Sequence, residues 1–267
     1  MHPLLALIFA ASDNPFDAVH LPVDASESGW RIDETINSTT LFVLGIFAIY
    51  MVWILWACFR YGPEHKAAYD HGSTWKSWRW TVLVAALMFF VIDGDLFFRT
   101  VSFINEVYLD FAGAEAKPGS VRIEINAHQW AWNARYAGPD GKFNTADDII
   151  VLNDLVVPQG APVIFQVTST DVIHSFKIPN MRMMVDAVPG AVTRMWFQPK
   201  ETGVFEIVCS QHCGANHYKM RGTLTVLPRA EYDRWAQANS VNGARAYDPK
   251  DMEAHWGWEW AEHARVE

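Results

Sequence analysis

The stretch CSQHCGANHYKM, residues 209–220, gathers most of the chemistry in this chain. Cys209 and Cys213 lie four apart, His217 follows four later and Met220 three beyond that. The one other cysteine is Cys58. A Cys209–Cys213 disulfide is one reading, and an extracytoplasmic location would permit it. It leaves His217 and Met220 without a purpose, and also His174 in DVIHSF, at the end of an earlier strand-like segment. Thiolate, imidazole and thioether are soft donors that suit copper and hardly anything hard. One His from an early loop, then Cys, His and Met from a later one, is the layout of a mononuclear copper site on a sandwich. A second cysteine lets two thiolates bridge two coppers, each left needing one imidazole and one weak ligand. His174 with Met220, and His217 with a main-chain carbonyl between the cysteines, complete that inventory.

Such a site needs a rigid frame. From about Ser120 the segments SVRIEINAHQWAWNARYA, IIVLNDLVV, APVIFQVTS, AVTRMWFQ, GVFEIVCS and RGTLTVLP alternate like half-buried strands. Pro139-Asp140-Gly141, Pro158-Gln159-Gly160, Pro189-Gly190 and Thr202-Gly203 supply turns between them. Six or more short strands predict an antiparallel sandwich or barrel, with the cysteine stretch in a loop before the last strand. In the insert GPDGKFNTADDII, Asp140, Asn144, Asp147 and Asp148 lack the ligand order of a calcium loop, so a solvated acidic hairpin tip is expected. RAEYDRWAQANS predicts a short amphipathic helix, and the tail HWGWEWAEHARVE offers a weak partner surface.

The amino-terminal part is of another kind. TTLFVLGIFAIYMVWILWACF, ending at Phe59, carries no charge over about twenty residues, enough to cross a ~30 Å hydrocarbon core. WTVLVAALMFFVIDGDLFF, Trp80 to Phe98, reads as a second span, interrupted late by Asp93 and Asp95 with Arg99 on the face of Asp95. The intervening loop holds Arg60, Lys66, Lys76 and Arg79 against Glu64 and Asp70. The segment before the first span holds Arg31 against Asp13, Asp17, Asp24, Glu27, Asp33 and Glu34. That bias puts the loop in the cytoplasm and both termini outside. LLALIFAAS, near the start, fits a short signal peptide apart from its missing basic region. A net charge of −9 argues against nucleic acid as partner and leaves membrane lipid. Many of the 13 tryptophans flank the apolar runs, as at a membrane interface. The expected organisation is an N-terminal segment (1–38), a transmembrane hairpin (39–100), a linker (101–118), a metal-binding sandwich (119–228) and a C-terminal helix and tail (229–267).

With these motifs in place, the chain resembles subunit II of the haem–copper cytochrome c oxidases, which carries a dinuclear copper A centre. The resemblance rests on the helical hairpin, AHQWAWNARY, VTSTDVIHSFKIP, VDAVPG and CSQHCGANHYKM. It implies an all-β, cupredoxin-like Greek-key sandwich behind a two-helix hairpin. By position, Cys209 and Cys213 would bridge, His174 and Met220 would complete one copper, and His217 with the Gln211 carbonyl the other. Trp130 matches the aromatic through which the family accepts electrons from cytochrome c, although by itself it reads as a core residue. Asp186 matches an acidic position near the copper loop. Gln211 stands where most members have a Glu that also holds magnesium, so only weak magnesium binding at the catalytic subunit is expected. Ser77 and Ala191 also depart from the family pattern, His212 is a further oddity read as a surface residue, and together these mark a divergent branch.

The resemblance implies a non-catalytic, electron-accepting subunit of an oxidoreductase in a cell inner membrane, with its copper domain on the periplasmic side. Cytochrome c would be the donor and a haem-bearing catalytic subunit I the partner. A copper A subunit of a nitric oxide reductase remains the alternative, and a membrane-anchored copper carrier a more distant one.

Overall fold

The computed structural model describes residues 21–69 and 71–246, so the signal-peptide stretch and the tryptophan-rich tail lie outside the described residues. These residues form two units, one of residues 31–109 and one of residues 22–30 with 110–246.

In the first unit, helix α1 spans Gly29–Arg60, 32 residues or about 48 Å. Its helical backbone satisfies main-chain groups internally, as hydrocarbon demands, and its uncharged middle exposes apolar side chains there. Thr74 caps the start of α2 (Trp75–Leu87), its hydroxyl accepting from the Ser77 N–H at 3.3 Å. A π-helical turn (Met88–Asp93) joins α2 to α3 (Gly94–Phe103), and a second (Ile104–Tyr108) follows. Both spans are long and apolar enough to cross a membrane. They outrun the expected boundaries. The helical rod continues into the stretch expected to be linker because its polar end is tied by ion pairs. Arg31 reaches Glu106 at 3.2 Å and Ser102 at 2.7 Å, while Arg99 reaches Glu34 at 2.8 Å and Asp95 at 2.9 Å.

The second unit opens with the short helix α4 (Phe111–Ala116), capped by Asp110, whose carboxylate accepts from the Gly113 N–H at 2.9 Å. Ten strands follow: β1 (Val121–His128), β2 (Ala131–Tyr136), β3 (Ile149–Leu152), β4 (Asp154–Pro158), β5 (Val163–Ser169), β6 (His174–Ile178), β7 (Met183–Ala187), β8 (Thr193–Phe197), β9 (Gly203–Cys209) and β10 (Arg221–Leu227). They form two five-stranded sheets, ordered β3-β2-β1-β5-β8 and β4-β10-β9-β6-β7. An all-β sandwich was expected and is found. Wholly antiparallel pairing is not: β1 runs parallel to β5, and β10 parallel to β4. The alternating stretch 120–137 is also two strands, turned at Gln129–Trp130. Helix α5 (Arg229–Ala246) closes the unit, with the Trp235 ring against Tyr136 at 5.4 Å.

The core is Ile123, Ile125, Trp132, Phe165, Phe176 and Phe197, all essentially inaccessible to solvent. Trp132 meets Phe176 edge-on at 5.0 Å and His174 at 6.1 Å, so packing reaches directly to a candidate ligand. The acidic insert differs from a solvated tip in one respect. Its Asp148 is buried, accepts from the Asn144 N–H at 2.8 Å and faces Arg135, which is itself buried and hydrogen-bonded to Glu124 at 2.8 Å. Burial pushes the Asp148 carboxyl above its ordinary range, against the pull of Arg135 and of the Asn144 N–H.

The parallel pairs place the chemistry. Because β1 and β5 run the same way, the β1–β2 turn and the β5–β6 loop come out at one end of the sandwich. Antiparallel pairing of β6 with β9 sets Cys209 opposite Phe176, bringing the end of β9 to that same end. Truncating Trp132 to Ala should therefore cost about 3–5 kcal/mol of stability in the outer unit and weaken metal retention with it. Denaturant unfolding checks the first; a loss under about 1 kcal/mol would show that the ring carries no such load.

Candidate metal centre

Both cysteines lie on one tight loop, Cys209 at its start and Cys213 four residues in. Cys209 ends β9, with its N–H on the Met220 carbonyl at 3.2 Å, so the loop's two ends are held together. Between them, a 3₁₀ turn (His217–Lys219) reverses the chain and returns Met220 to the interior. Gly214 makes the start of this return possible. Its φ is +111°, and a Cβ there would lie 2.7 Å from Gln129 Nε2 and 3.4 Å from the Trp130 ring.

The thiols are free, with Sγ atoms 3.7 Å apart, well beyond the ~2.05 Å of a disulfide. Around them stand the other candidate donors. His174 Nδ1 lies 3.1 Å from Met220 Sδ, and Met220 Sδ 3.7 Å from Cys213 Sγ. His217 Nδ1 lies 3.5 Å from Cys213 Sγ, and the Gln211 carbonyl oxygen 3.2 Å from Cys209 Sγ. Among the described residues, His174, Cys209 and Cys213 form the group whose nitrogen and sulfur atoms lie within 4.8 Å of one another. His174, Cys213 and Met220 are buried, while Gln211 presents its side chain to solvent. All six residues expected to hold metal are thus gathered at one place. The set fits copper: two thiols, two imidazoles and a thioether are soft donors, and sulfurs at 3.7 Å can share an ion at ordinary metal–sulfur lengths of ~2.3 Å.

A carboxylate that the sequence reading passed over organises the site. Asp171 Oδ1 accepts from His174 Nε2 at 2.9 Å, which puts that ring's proton on Nε2 and turns Nδ1 toward the sulfurs. Asp171 Oδ2 accepts from the Gln129 N–H at 2.7 Å. Burial opposes ionisation of Asp171, yet its bonds to His174, Gln129 and Val172 hold it down at about 2. His174 is shifted the other way: burial disfavours its charge, but Cys209 and Asp171 raise its pKa. The thiols diverge. Cys209 is resisted by burial but lowered to about 6 by His174 and by main-chain groups of Ser175 and Gln211. Cys213 is raised to about 12 by burial and by the neighbouring Cys209 sulfur. The pair is therefore asymmetric, with Cys209 the more acidic thiol and Cys213 the less acidic one. The only sequence signal for Asp171 was its place three residues before His174.

Trp130 is half-buried beside the loop, and its indole N–H donates to the Cys213 carbonyl at 3.2 Å. Gln129 Nε2 donates to the same oxygen at 2.8 Å, a second contact that the sequence did not show. His212 is exposed, as a surface residue should be, with its ring centroid 5.6 Å from that of His217. Asp186 is exposed on β7, opposite Ser175 of β6.

Residues 121–226 match the family described as cytochrome C oxidase subunit II, periplasmic domain. The chain is 29% identical over 230 residues to the alternative cytochrome c oxidase subunit 2 of Bradyrhizobium diazoefficiens, covering 77% of this chain and 79% of that one. It is 28% identical over 238 residues to the cytochrome c oxidase subunit 2 of Alkalihalophilus pseudofirmus, covering 86% of this chain and 64% of the relative. Among solved structures, the periplasmic domain of subunit II of cytochrome oxidase from Bradyrhizobium japonicum aligns at a TM-score of 0.42 and 28% identity, over 46% of this chain and 96% of that one. The outer sandwich thus matches the periplasmic domain of cytochrome c oxidase subunit II over residues 121–226, and the chain, with its two apolar helices and its cysteine–histidine cluster, is similar along most of its length to cytochrome c oxidase subunit 2 proteins.

Proposed function

We propose that the chain is the electron-entry subunit of a haem–copper oxidase in a cell inner membrane. It would accept electrons from cytochrome c on the periplasmic face for delivery to haem in a catalytic subunit. The observation that carries this reading is the convergence of both thiols, His174, His217, Met220 and the Gln211 carbonyl at one end of the sandwich. Cys209 and Cys213 would bridge two coppers, His174 with Met220 completing one and His217 with the Gln211 carbonyl the other. Such a pair, when bound, supplies one-electron acceptance and release shared over both nuclei.

The chain's own residues set the conditions for that chemistry. Asp171 fixes the His174 ring, and the buried Met220 and Cys213 keep water from the inner side of the cluster. Trp130 joins the solvent-facing turn to the main chain of a bridging cysteine through one hydrogen bond, which suits it as the point of electron entry. An outer-face sandwich on two spans would place this turn where a soluble donor can reach it, with both termini outside.

The expected metal content is two coppers per chain with a mixed-valence signal delocalised over both. Cys209→Ser or Cys213→Ser should abolish that signal. A single copper per chain, or a Cys209–Cys213 disulfide coexisting with full loading, would sink the proposal. Trp130→Phe removes one hydrogen bond, worth about 1 kcal/mol, and should leave folding and copper content intact. Reduction by cytochrome c should slow in Trp130→Phe and more so in Trp130→Ala, and raising the salt should slow the native rate too. Stopped-flow reduction measures both, and unchanged rates would return Trp130 to a packing role.

Gln211 separates two functions. Its carbonyl is what approaches Cys209, so Gln211→Ala should keep both coppers. Its exposed amide brings no charge to a hard cation, so magnesium or manganese at the catalytic subunit should bind weakly and tighten in Gln211→Glu. Titration of manganese by its magnetic resonance signal distinguishes these variants. Tight native binding that Gln211→Glu leaves unaltered would mean another residue holds the cation.

A further inference from the structure

Asp93 is the charge in the second apolar span that the structure of this chain leaves unanswered. Between Trp80 and Phe98 the charged residues are Asp93 and Asp95. Asp95 is accounted for: it accepts from Arg99 at 2.9 Å, and Arg99 in turn reaches Glu34 of α1 at 2.8 Å. Two residues correspond to roughly 200° around a helix, so Asp93 lies on the side opposite the face that meets α1. Its exposure agrees, because Ile92, Asp95, Leu96 and Arg99 are half-buried while Asp93 is open. One turn to either side on the open face stand Phe89, Phe90 and Phe97, which are 61%, 75% and 61% exposed. Asp93 also ends the π-helical turn, where the Gly94 N–H bonds to the Phe89 carbonyl five residues back. Such an inserted residue turns the following helix by about 100° relative to the preceding one, and π-turns of this kind cluster at functional sites.

The depth makes the carboxylate costly. Thirteen residues from Trp80 is about 20 Å, and six more, about 9 Å, reach Arg99 of the polar end, so in a ~30 Å slab that begins at Trp80, Asp93 lies in the third nearest that end, still short of it. A side chain with a single methylene cannot span that distance to the lipid headgroups as a lysine or arginine can. An ionised carboxylate there is strongly unfavourable without a partner. Among the described residues no cation faces that level: residues 35–59 of α1 hold none, and Arg99 is committed to Asp95 and Glu34. The rim of three phenylalanines offers ring faces that attract a guanidinium or ammonium group.

We propose that Asp93 is an intramembrane docking point for a second subunit, whose transmembrane helix carries an arginine or lysine into the Phe89–Phe90–Phe97 face. The cation pairs with the Asp93 carboxylate in hydrocarbon, fixing the depth and rotation at which the two subunits meet. This rests on the reading of the chain as one subunit of a membrane oxidase. It adds a specific contact, on the face of the hairpin turned away from α1.

The test uses the intact complex purified in detergent, with haem retained per chain after prolonged detergent exchange as the readout. Asp93→Leu and Asp93→Asn should lose the haem-bearing subunit at least roughly tenfold faster than native, since removing one member of a desolvated pair strands the other charge. Asp93→Glu should retain it. Far-UV circular dichroism and a monodisperse elution profile establish that the variant chains remain folded. Replacing the partner's transmembrane arginine or lysine by glutamine or leucine, one at a time in the Asp93→Leu background, should restore retention at one position. Retention in Asp93→Leu equal to native overturns the docking role and makes Asp93 a lipid- or water-facing carboxylate. Faster loss that no replacement of a partner cation restores overturns the ion pair. If the native chain itself isolates without a haem-bearing subunit, it is the oxidase-subunit reading that fails.

Discussion

Two sulfur atoms held 3.7 Å apart without bonding are the constraint on which the outer unit depends. Left to themselves, two thiols four residues apart on a flexible loop can close into a disulfide, or repel as thiolates. Here neither happens, because each cysteine is held by its main chain. Cys209 is fixed as the last residue of β9, tied to Met220 and set beside β6. Cys213 is fixed from above, its carbonyl receiving both Gln129 Nε2 and the Trp130 indole. With the backbone clamped at both cysteines, the side chains meet at a distance that fits a shared metal. The electrostatics follow from the same crowding: the Cys209 thiol is made more acidic by His174 and nearby main-chain groups, and its neighbour less acidic.

The clamp also couples parts that would otherwise move separately. Asp171 accepts from His174 with one oxygen and from the Gln129 main chain with the other. The imidazole and the turn bearing Trp130 are therefore referenced to one carboxylate, and the turn is in turn referenced to Cys213. Below them Trp132 packs against His174 and Phe176. Interiors this dense do not deform continuously, so a donor set held this way changes little in geometry when its charge changes. For a centre that exchanges electrons, that rigidity keeps reorganisation small.

How much of this could be read in advance depended on distance along the chain. The cysteine, histidine and methionine spacing is local, and so is the alternation that marked strands on either side of it. The direction of pairing is not local: residues alternate across a strand whether its neighbour is parallel or antiparallel, so the β1–β5 and β4–β10 pairs were invisible. The turn at Gln129–Trp130 was hidden for a related reason, since apolar residues continue through it on both sides. Glu124 and Arg135, charges within the alternating stretch, lie buried opposite each other in the β1–β2 register, a pairing that the sequence alone does not show. Gln129 and Asp171 are polar loop residues by composition; only the fold brings them to Cys213 and His174.

The helices show the same division at a different scale. An apolar run says that a segment can cross a bilayer, but lipid tails are as apolar as the helix faces, so such runs say little about where one helix meets another. Register has to come from groups that hydrocarbon will not tolerate alone. At the polar end of the hairpin, Arg31 joins α1 to Ser102 and Glu106, and Arg99 joins Asp95 to Glu34 of α1. Taken singly, pairs this exposed contribute little to stability. Taken together, the contacts of Arg31 with Ser102 and Glu106 and of Glu34 with Arg99, less than a turn apart on α1 and one to two turns apart on the facing helix, favour one alignment, because sliding by a turn would break both interhelical bridges. The residues that interrupt the hydrophobic pattern are therefore the ones that specify the hairpin, and an acidic residue within the same span that takes no part in this alignment has its reason outside the hairpin.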